Sequence, residues 1–155
     1  MAEAQASTPE TLPKGAGYTL HTHKSILQNH GYELLALFQG HAKIRFKAGS
    51  GEILPSRKTL YEGSIFTCAN FAAIAAVNIE EMFVISAKNA FLNPIKEDEE
   101  VIFEANVTTN SSGKKEVSVK GSVNDLEVYQ GEFVLMKLDE RSILQTKTPK
   151  EAVEA

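Results

Sequence analysis

The segment at residues 61–78, YEGSIFTCANFAAIAAVN, constrains the fold of this chain more than any other. Five alanines between positions 69 and 76 favour a helix. Apolar residues occupy every face of that helix, so other structure has to enclose residues 64–77. Asn70 lies in its middle, where an unpaired buried amide would cost about 1–3 kcal/mol. The sequence therefore predicts a wrapped helix with one polar position that needs a partner.

The start of this helix is marked by a glycine and a serine. Gly63 and Ser64 are expected to begin it, with Ser64 as the N-cap, because a serine hydroxyl can accept a hydrogen bond from an early backbone N–H group. A shorter helix is expected within residues 18–29, ended by His30-Gly31.

Strand-like segments lie on both sides of the long helix. YELLALF and AKIRFKA precede it and are separated by a turn at Gln39-Gly40-His41. Four more runs follow it, joined by short turns. In the third of them, alternate residues share one face: Val117, Val119, Gly121 and Val123. This order predicts an α+β fold in which an antiparallel sheet wraps the helix.

Length and composition limit the domain organisation and the partners. The 155 residues fit one domain at residues 18–144, between tails at 1–17 and 145–155 that are expected to be disordered. The net charge of −4 argues against a nucleic acid or an anionic membrane as partner. The single cysteine, Cys68, cannot form an internal disulfide and is typical of a reducing, cytoplasmic environment.

Three motifs in order resemble the hotdog fold of the thioesterase superfamily, over about residues 31–138. EGSIFTCANFAAIAA is similar to the central-helix motif, in which a glycine turn is followed by Phe, a small pair and Asp or Asn. FLNPIKEDEEVIFEANV is similar to the next segment, and VYQGEFVLMKL to the closing strand. Within the superfamily, the effector domain of the malonyl-CoA-sensing repressor of bacterial lipid synthesis also carries Ala-Asn at this place in the helix.

The resemblance implies a curved antiparallel sheet around one long central helix, and a homodimer whose sheets join edge to edge. A tetramer stays open. A thioester of coenzyme A or of acyl carrier protein would lie in a channel between subunits, near the amino end of the helix. The unpaired N–H groups and partial positive charge of a helix amino end can polarise a thioester carbonyl. The coenzyme A thioester is the expected ligand or substrate, and no other cofactor is expected.

Asn70 and Glu62 are the candidate catalytic residues that the resemblance implies. An amide cannot act as a general base, but Asn70 can orient a water molecule or bind the ligand; the alternative is a structural asparagine that bridges backbone groups. Glu62 would need a raised pKa to act as a base, and is otherwise a solvated residue of the first helical turn.

Other positions are candidates for ligand contact. Gly63 and Ser64 stand where many relatives have His-Gly-Gly, and their backbone amides would face the thioester oxygen or simply begin the helix. Asn93 precedes Pro94 in the segment that lines the channel in relatives, although turn formation explains it equally well. Four basic residues are candidates for the coenzyme A phosphates or are solvated surface residues: Arg57, Lys58, Lys88 and Lys96. No metal site is expected from the spacing of the histidines.

These features leave three functions open. The first is an acyl-CoA-binding protein, for a fatty acyl or malonyl thioester, with at most weak thioesterase activity. The second is an active acyl-CoA or acyl carrier protein thioesterase, in which water is activated near Asn70 and Glu62. The third is a structural dimer with a vestigial channel.

Overall fold

The computed structural model describes residues 17–111 and 113–137. The tails predicted at 1–17 and 145–155 lie outside the described residues except for Gly17, which forms a β-bridge with Leu37. Residues 138–144 of the predicted domain also lie outside them.

The chain forms two helices and eight strands within the described residues. They are α1 (Lys24–His30), β1 (Glu33–Phe38), β2 (His41–Lys47), β3 (Ile53–Leu54), β4 (Thr59–Leu60), α2 (Glu62–Val77), β5 (Met82–Phe91), β6 (Glu100–Ser111), β7 (Lys114–Val123) and β8 (Leu126–Lys137). Six strands form an antiparallel sheet in the order β1-β2-β6-β7-β8-β5, and β3 pairs with β4 separately. The curved sheet around one long helix confirms the predicted α+β hotdog architecture.

Helix α2 forms the centre of the hydrophobic core and packs mainly against β6, β2 and β7. It begins two residues before the predicted N-cap, and Tyr61 is the residue that precedes it. The N-cap assignment of Ser64 is therefore wrong. Tyr61 is still extended and its N–H donates to the Glu52 carbonyl, so the chain turns into the helix directly after it, and the Ser64 N–H donates to the Tyr61 carbonyl.

The carboxyl end of α2 is held by Asn78, which has a left-handed backbone conformation. Its side-chain Nδ2 donates to the Thr19 carbonyl at 2.9 Å, and its Oδ1 accepts from the His21 N–H at 2.7 Å. These bonds tie the segment before α1 to the end of the central helix.

The strands show the predicted alternation. In β7 the residues predicted to share one face, Val117, Val119, Gly121 and Val123, are all buried. The turn to β8 has left-handed backbone at both Asn124 and Asp125, as a tight hairpin between right-twisted strands requires. The sheet therefore follows the period of two that its sequence displays.

Two surfaces are incompletely covered within one chain. The edge strand β5 pairs with β8 and exposes apolar side chains at Phe83, Ile85 and Phe91. The second surface is a flank of α2 whose residues are half-buried, at Gly63, Phe66, Thr67, Asn70 and Val77. The spacing of three, four and seven places these residues on one face of the helix.

Candidate functional site

A cleft of about 320 Å³ opens at the amino end of α2, and we call it the α2 cleft. Tyr32 and Phe46 are its most buried lining residues, each 7% exposed. Half-buried residues of α2 form one wall: Gly63, Ser64, Phe66 and Thr67. Exposed residues form the rim: His30, Glu52 and Tyr61.

Tyr32 is held in place by aromatic contacts on several sides. Its ring stacks on His30 at a centroid distance of 5.2 Å, meets Phe46 edge-on at 5.6 Å and contacts Phe71 at 5.5 Å. Its hydroxyl has no hydrogen bond to any residue that the structure describes. Burial raises the pKa of Tyr32, and the nearby Cys68 and Glu52 raise it further, so the phenol stays protonated and can donate a hydrogen bond.

The amino end of α2 faces the same cleft. The first N–H groups of a helix have no partner within the helix and carry a partial positive charge. In α2 the Ser64 N–H donates to the Tyr61 carbonyl and the Glu62 N–H to its own carboxylate, so within the described residues the N–H group of Gly63 is the one left for a ligand. A Cβ atom at Gly63 would lie 2.3 Å from the ring of Tyr61, so this aromatic side chain covers the helix start because residue 63 is a glycine. Thr67 is satisfied locally, since its hydroxyl donates to the Gly63 carbonyl at 2.8 Å.

Glu62 is bound to Arg57 by two hydrogen bonds of 3.2 Å, one from each terminal guanidinium nitrogen. The hydrogen bonds from Arg57, and then from its own backbone N–H, lower the pKa of Glu62. A general base that takes a proton near neutral pH needs the opposite shift. The same two hydrogen bonds occupy the guanidinium group of Arg57, and neither Arg57 nor Glu62 lines the α2 cleft.

Asn70 lies on the half-buried flank of α2, about two helical turns beyond Gly63. It does not line the α2 cleft, and its amide has no hydrogen bond to any residue in the described part of the chain. The partner that the sequence requires is therefore not supplied within this part of one chain.

The remaining predicted site residues are separated by the fold. The Asn93 Nδ2 donates to the Glu127 carbonyl at 2.7 Å, which joins the end of β5 to the start of β8. Exposed Lys96 lies beside Thr59, and Lys58 precedes that threonine, so these two lysines are neighbours close to Arg57. Lys88 is placed elsewhere, in the middle of β5 opposite Glu132.

Sequence reasoning missed seven lining residues of the cleft: His30, Tyr32, Phe46, Glu52, Tyr61, Phe66 and Thr67. They lie at the end of α1, in β2, in a short 3-10 turn, in α2, and at the residues directly before β1 and α2. The only local signal was the helix stop at His30-Gly31, which places a tyrosine directly after a turn. That signal does not show that the 3-10 turn at Ser50–Glu52 lies beside it.

Two further findings concern the described residues alone. They contain no group of three or more histidine, cysteine, aspartate or glutamate side chains placed to hold a metal ion. Among the same residues, each helix is too short or too polar to cross a membrane.

No protein-family model matches the chain. Over 114 residues it is 28% identical to a methylthioribose-1-phosphate isomerase from Aquifex aeolicus strain VF5, a match that covers 74% of this chain and 25% of that protein. Over 76 residues it is 32% identical to the transcription factor FapR from Shouchella clausii strain KSM-K16, covering 49% of this chain and 40% of that protein. The chain thus spans less than half the length of these curated relatives.

Solved structures share the fold over most of the chain. An uncharacterized protein from Pyrococcus horikoshii, PH1136, superposes with a TM-score of 0.74 at 23% identity, covering 81% of this chain and 96% of that one. An HP0420 homologue from Helicobacter felis has a TM-score of 0.71 at 28% identity, covering 77% and 86%. The PaaI protein from the phenylacetic acid degradation operon of E. coli has a TM-score of 0.69 at 13% identity, covering 72% and 87%.

Proposed function

We propose that this hotdog-fold protein binds an acyl-CoA thioester at the α2 cleft and hydrolyses it slowly or not at all. The observation that carries the proposal is the cleft itself, in which the amino end of a helix meets the aromatic side chains of Tyr32 and Phe46. An acyl thioester offers a carbonyl acceptor to the helix end and apolar atoms to the aromatic surface.

The comparisons support the ligand class. The central helix resembles that of the effector domain of the malonyl-CoA-sensing repressor, and the match to a transcription factor over 49% of the chain agrees with this resemblance. The shared fold with a protein of a phenylacetic acid degradation operon agrees with a role in acyl metabolism.

Binding is favoured over rapid hydrolysis because both predicted catalytic residues are poor bases. Rapid thioester hydrolysis needs a group that accepts a proton from water. The Asn70 amide has no basic nitrogen in the relevant range. Arg57 lowers the pKa of Glu62, which makes its carboxylate a weaker base than an ordinary glutamate.

We also propose that the protein is a homodimer joined through β5 and the half-buried flank of α2. An edge strand with exposed backbone groups and apolar side chains is a template for pairing with another strand. Phe83, Ile85 and Phe91 are each more than 40% exposed on β5 in one chain. Asn70, on the adjoining flank of α2, would then face the partner or the ligand.

The ligand proposal is tested with a panel of acyl-CoAs from acetyl to palmitoyl, by measuring thermal shift and free-thiol release on the same samples. A rise in melting temperature without thiol release is the expected result. Thiol release that is lost in Asn70→Ala or Glu62→Ala, but kept in the remote control Glu80→Ala, would instead support the active thioesterase. A protein that gives neither response would contradict both and leave the structural dimer.

The dimer proposal is tested by light scattering, which should give twice the 16.9 kDa chain mass. Backbone N–H groups along a strand alternate in direction, so of Ala87 and Lys88 one donates toward β8 and the other outward. Proline placed at each in turn should therefore have different effects, since proline removes the N–H donor. The outward position should yield a folded monomer and the other a destabilised chain. Two folded dimers would refute pairing through β5.

A further inference from the structure

The α2 cleft combines an unpartnered hydroxyl with a negative charge. Tyr32 is 7% exposed, its ring is held by three aromatic neighbours, and its hydroxyl has no hydrogen bond within the described residues. Glu52 is on the rim of the same cleft. These two side chains have no role in the acyl-CoA binding proposed above beyond lining the site, and each would discriminate between ligands.

The Tyr32 hydroxyl favours a ligand with a hydrogen-bond acceptor. In the free protein, water in the cleft can satisfy this hydroxyl. A ligand that displaces the water without offering an acceptor leaves a buried donor unpaired, which weakens binding. A thioester carbonyl oxygen is such an acceptor, whereas the sulfur of a thioether is a very weak one.

The Glu52 carboxylate disfavours a ligand with a negative charge on its acyl group. Within the described part of the chain, no lysine or arginine lines the α2 cleft. Arg57, which is close in sequence, is engaged by Glu62 through two hydrogen bonds. A carboxylate on the acyl group would thus meet a like charge, opposed only by the partial positive charge of the α2 amino end and by no lysine or arginine of the described lining.

We propose that the α2 cleft selects thioesters whose acyl group is uncharged. The Tyr32 hydroxyl donates a hydrogen bond to the thioester carbonyl oxygen, and Glu52 discriminates against acyl groups that end in a carboxylate. The inference rests on the acyl-CoA binding proposed above and narrows its ligand class, since it favours a simple acyl group over malonyl.

Propionyl-CoA and two analogues of it separate the effect of the Tyr32 hydroxyl from that of the Glu52 carboxylate. Malonyl-CoA replaces the terminal methyl group of propionyl-CoA by a carboxylate, and S-propyl-CoA replaces its carbonyl group by a methylene. Dissociation constants are measured by isothermal titration calorimetry on the full chain, at about pH 8, where histidine side chains carry little charge. The proteins are the unmodified chain, Tyr32→Phe, Glu52→Gln, and two matched controls outside the cleft, Tyr18→Phe and Glu80→Gln. Thiol release is followed in parallel, and circular dichroism verifies that each variant is folded.

The unmodified chain should bind propionyl-CoA roughly fivefold more tightly than malonyl-CoA, because the repelling charge is exposed and partly screened. Glu52→Gln should bring that ratio close to one. Tyr32→Phe should weaken propionyl-CoA binding by about fivefold to tenfold, and it should leave S-propyl-CoA binding unchanged or make it tighter, because that ligand leaves the hydroxyl unpaired. Neither control should alter any of the three constants.

Malonyl-CoA binding that is as tight as propionyl-CoA binding would overturn the inference, and so would a ratio that Glu52→Gln leaves unchanged. An equal effect of Tyr32→Phe on propionyl-CoA and S-propyl-CoA would also overturn it, because the hydroxyl would then have no relation to the carbonyl. In these cases the proposed acyl-CoA binding stands. A chain that binds none of the three ligands would contradict the proposed function, and the inference with it.

Discussion

Tyr32 and Tyr129 are both buried tyrosines with aromatic neighbours, but their hydroxyls have different environments. Tyr129 is 0% exposed, packs against Phe91 and Phe103, and donates a hydrogen bond to the side-chain oxygen of Asn89. Tyr32 has similar ring contacts and no hydrogen-bond partner within the described residues. Burial raises the pKa of both phenols, so both remain donors.

The difference separates a residue that completes the fold from one that is available to a ligand. Tyr129 and Asn89 join β8 to the edge strand β5, and this polar pair is satisfied without any other molecule. Tyr32 lies beside a cleft with exposed residues on its rim. A buried hydroxyl that no described residue satisfies is uncommon in native structures, and because Tyr32 lines the α2 cleft, a molecule bound there can supply the partner.

The largest expected difference in stability comes from replacing a glycine by alanine in each region: Gly131 beside Tyr129, and Gly63 at the α2 cleft. A Cβ atom at Gly131 would lie 2.2 Å from the Tyr129 hydroxyl and 2.9 Å from the Phe133 ring, both packed in the core. Gly131→Ala should lower the free energy of unfolding by about 2–4 kcal/mol, through overpacking and loss of the Asn89 hydrogen bond. Gly63→Ala should lower it by less than about 1 kcal/mol, because the Tyr61 ring that it meets is 55% exposed and can move away.

Urea denaturation of both alanine variants measures this contrast. Equal losses of stability at the two glycines would show that Tyr61 is held as rigidly as Tyr129.

A smaller contrast is expected when each hydroxyl is removed. Tyr129→Phe should lower the free energy of unfolding by about 1–2 kcal/mol, because the Asn89 amide loses its partner. Tyr32→Phe should leave the stability of the ligand-free protein unchanged or slightly higher, since its hydroxyl makes no hydrogen bond to residues 17–111 or 113–137. Thermal and urea unfolding of the two variants without ligand gives the comparison. A comparable loss in Tyr32→Phe would mean that this hydroxyl has a partner inside the protein.

The smallest effect is expected from the exposed Arg57–Glu62 pair near the cleft. The hydrogen bond from Arg57 lowers the pKa of Glu62 below its ordinary value of 4.5. A lowered pKa in the folded state contributes stability above the unfolded value, and this contribution is lost as the pH falls below it. Arg57→Gln should therefore raise the pKa of Glu62 toward the ordinary value. The variant should also show a slightly smaller difference in folding stability between neutral and acidic pH.

An NMR titration of the Glu62 side-chain carbon measures that shift directly. An unchanged pKa in Arg57→Gln would show that the ion pair is not formed in solution, and Arg57 would then be available to a ligand phosphate.

The helix and strands could be predicted from the sequence because the patterns that indicate them are local. Alternation in β7 and the alanine-rich composition of α2 depend on neighbouring residues alone, and both predictions were confirmed. The N-cap assignment of Ser64 was wrong because a distant carbonyl, that of Glu52, binds the N–H of Tyr61 and lets the helix begin earlier.

The cleft could not be predicted from the same signals. Its lining joins Tyr32 directly before β1, Glu52 in a 3-10 turn and Gly63 in α2, and their proximity follows only from how the sheet curves around the helix. The position of Asn70 on α2 could be predicted, but its lack of a hydrogen-bond partner among the described residues could not. The bond from Asn93 to Glu127 likewise depends on the pairing of β5 with β8.

In the proposed function, the α2 cleft holds the thioester of an acyl-CoA. The most direct test is a crystal structure with a propionyl-CoA analogue in which a methylene replaces the thioester sulfur, since it keeps the carbonyl and cannot be hydrolysed as a thioester. We expect the carbonyl oxygen to lie within hydrogen-bond distance of the Tyr32 hydroxyl, beside Gly63. A carbonyl placed away from the α2 cleft, with the Tyr32 hydroxyl still bound to water, would contradict it.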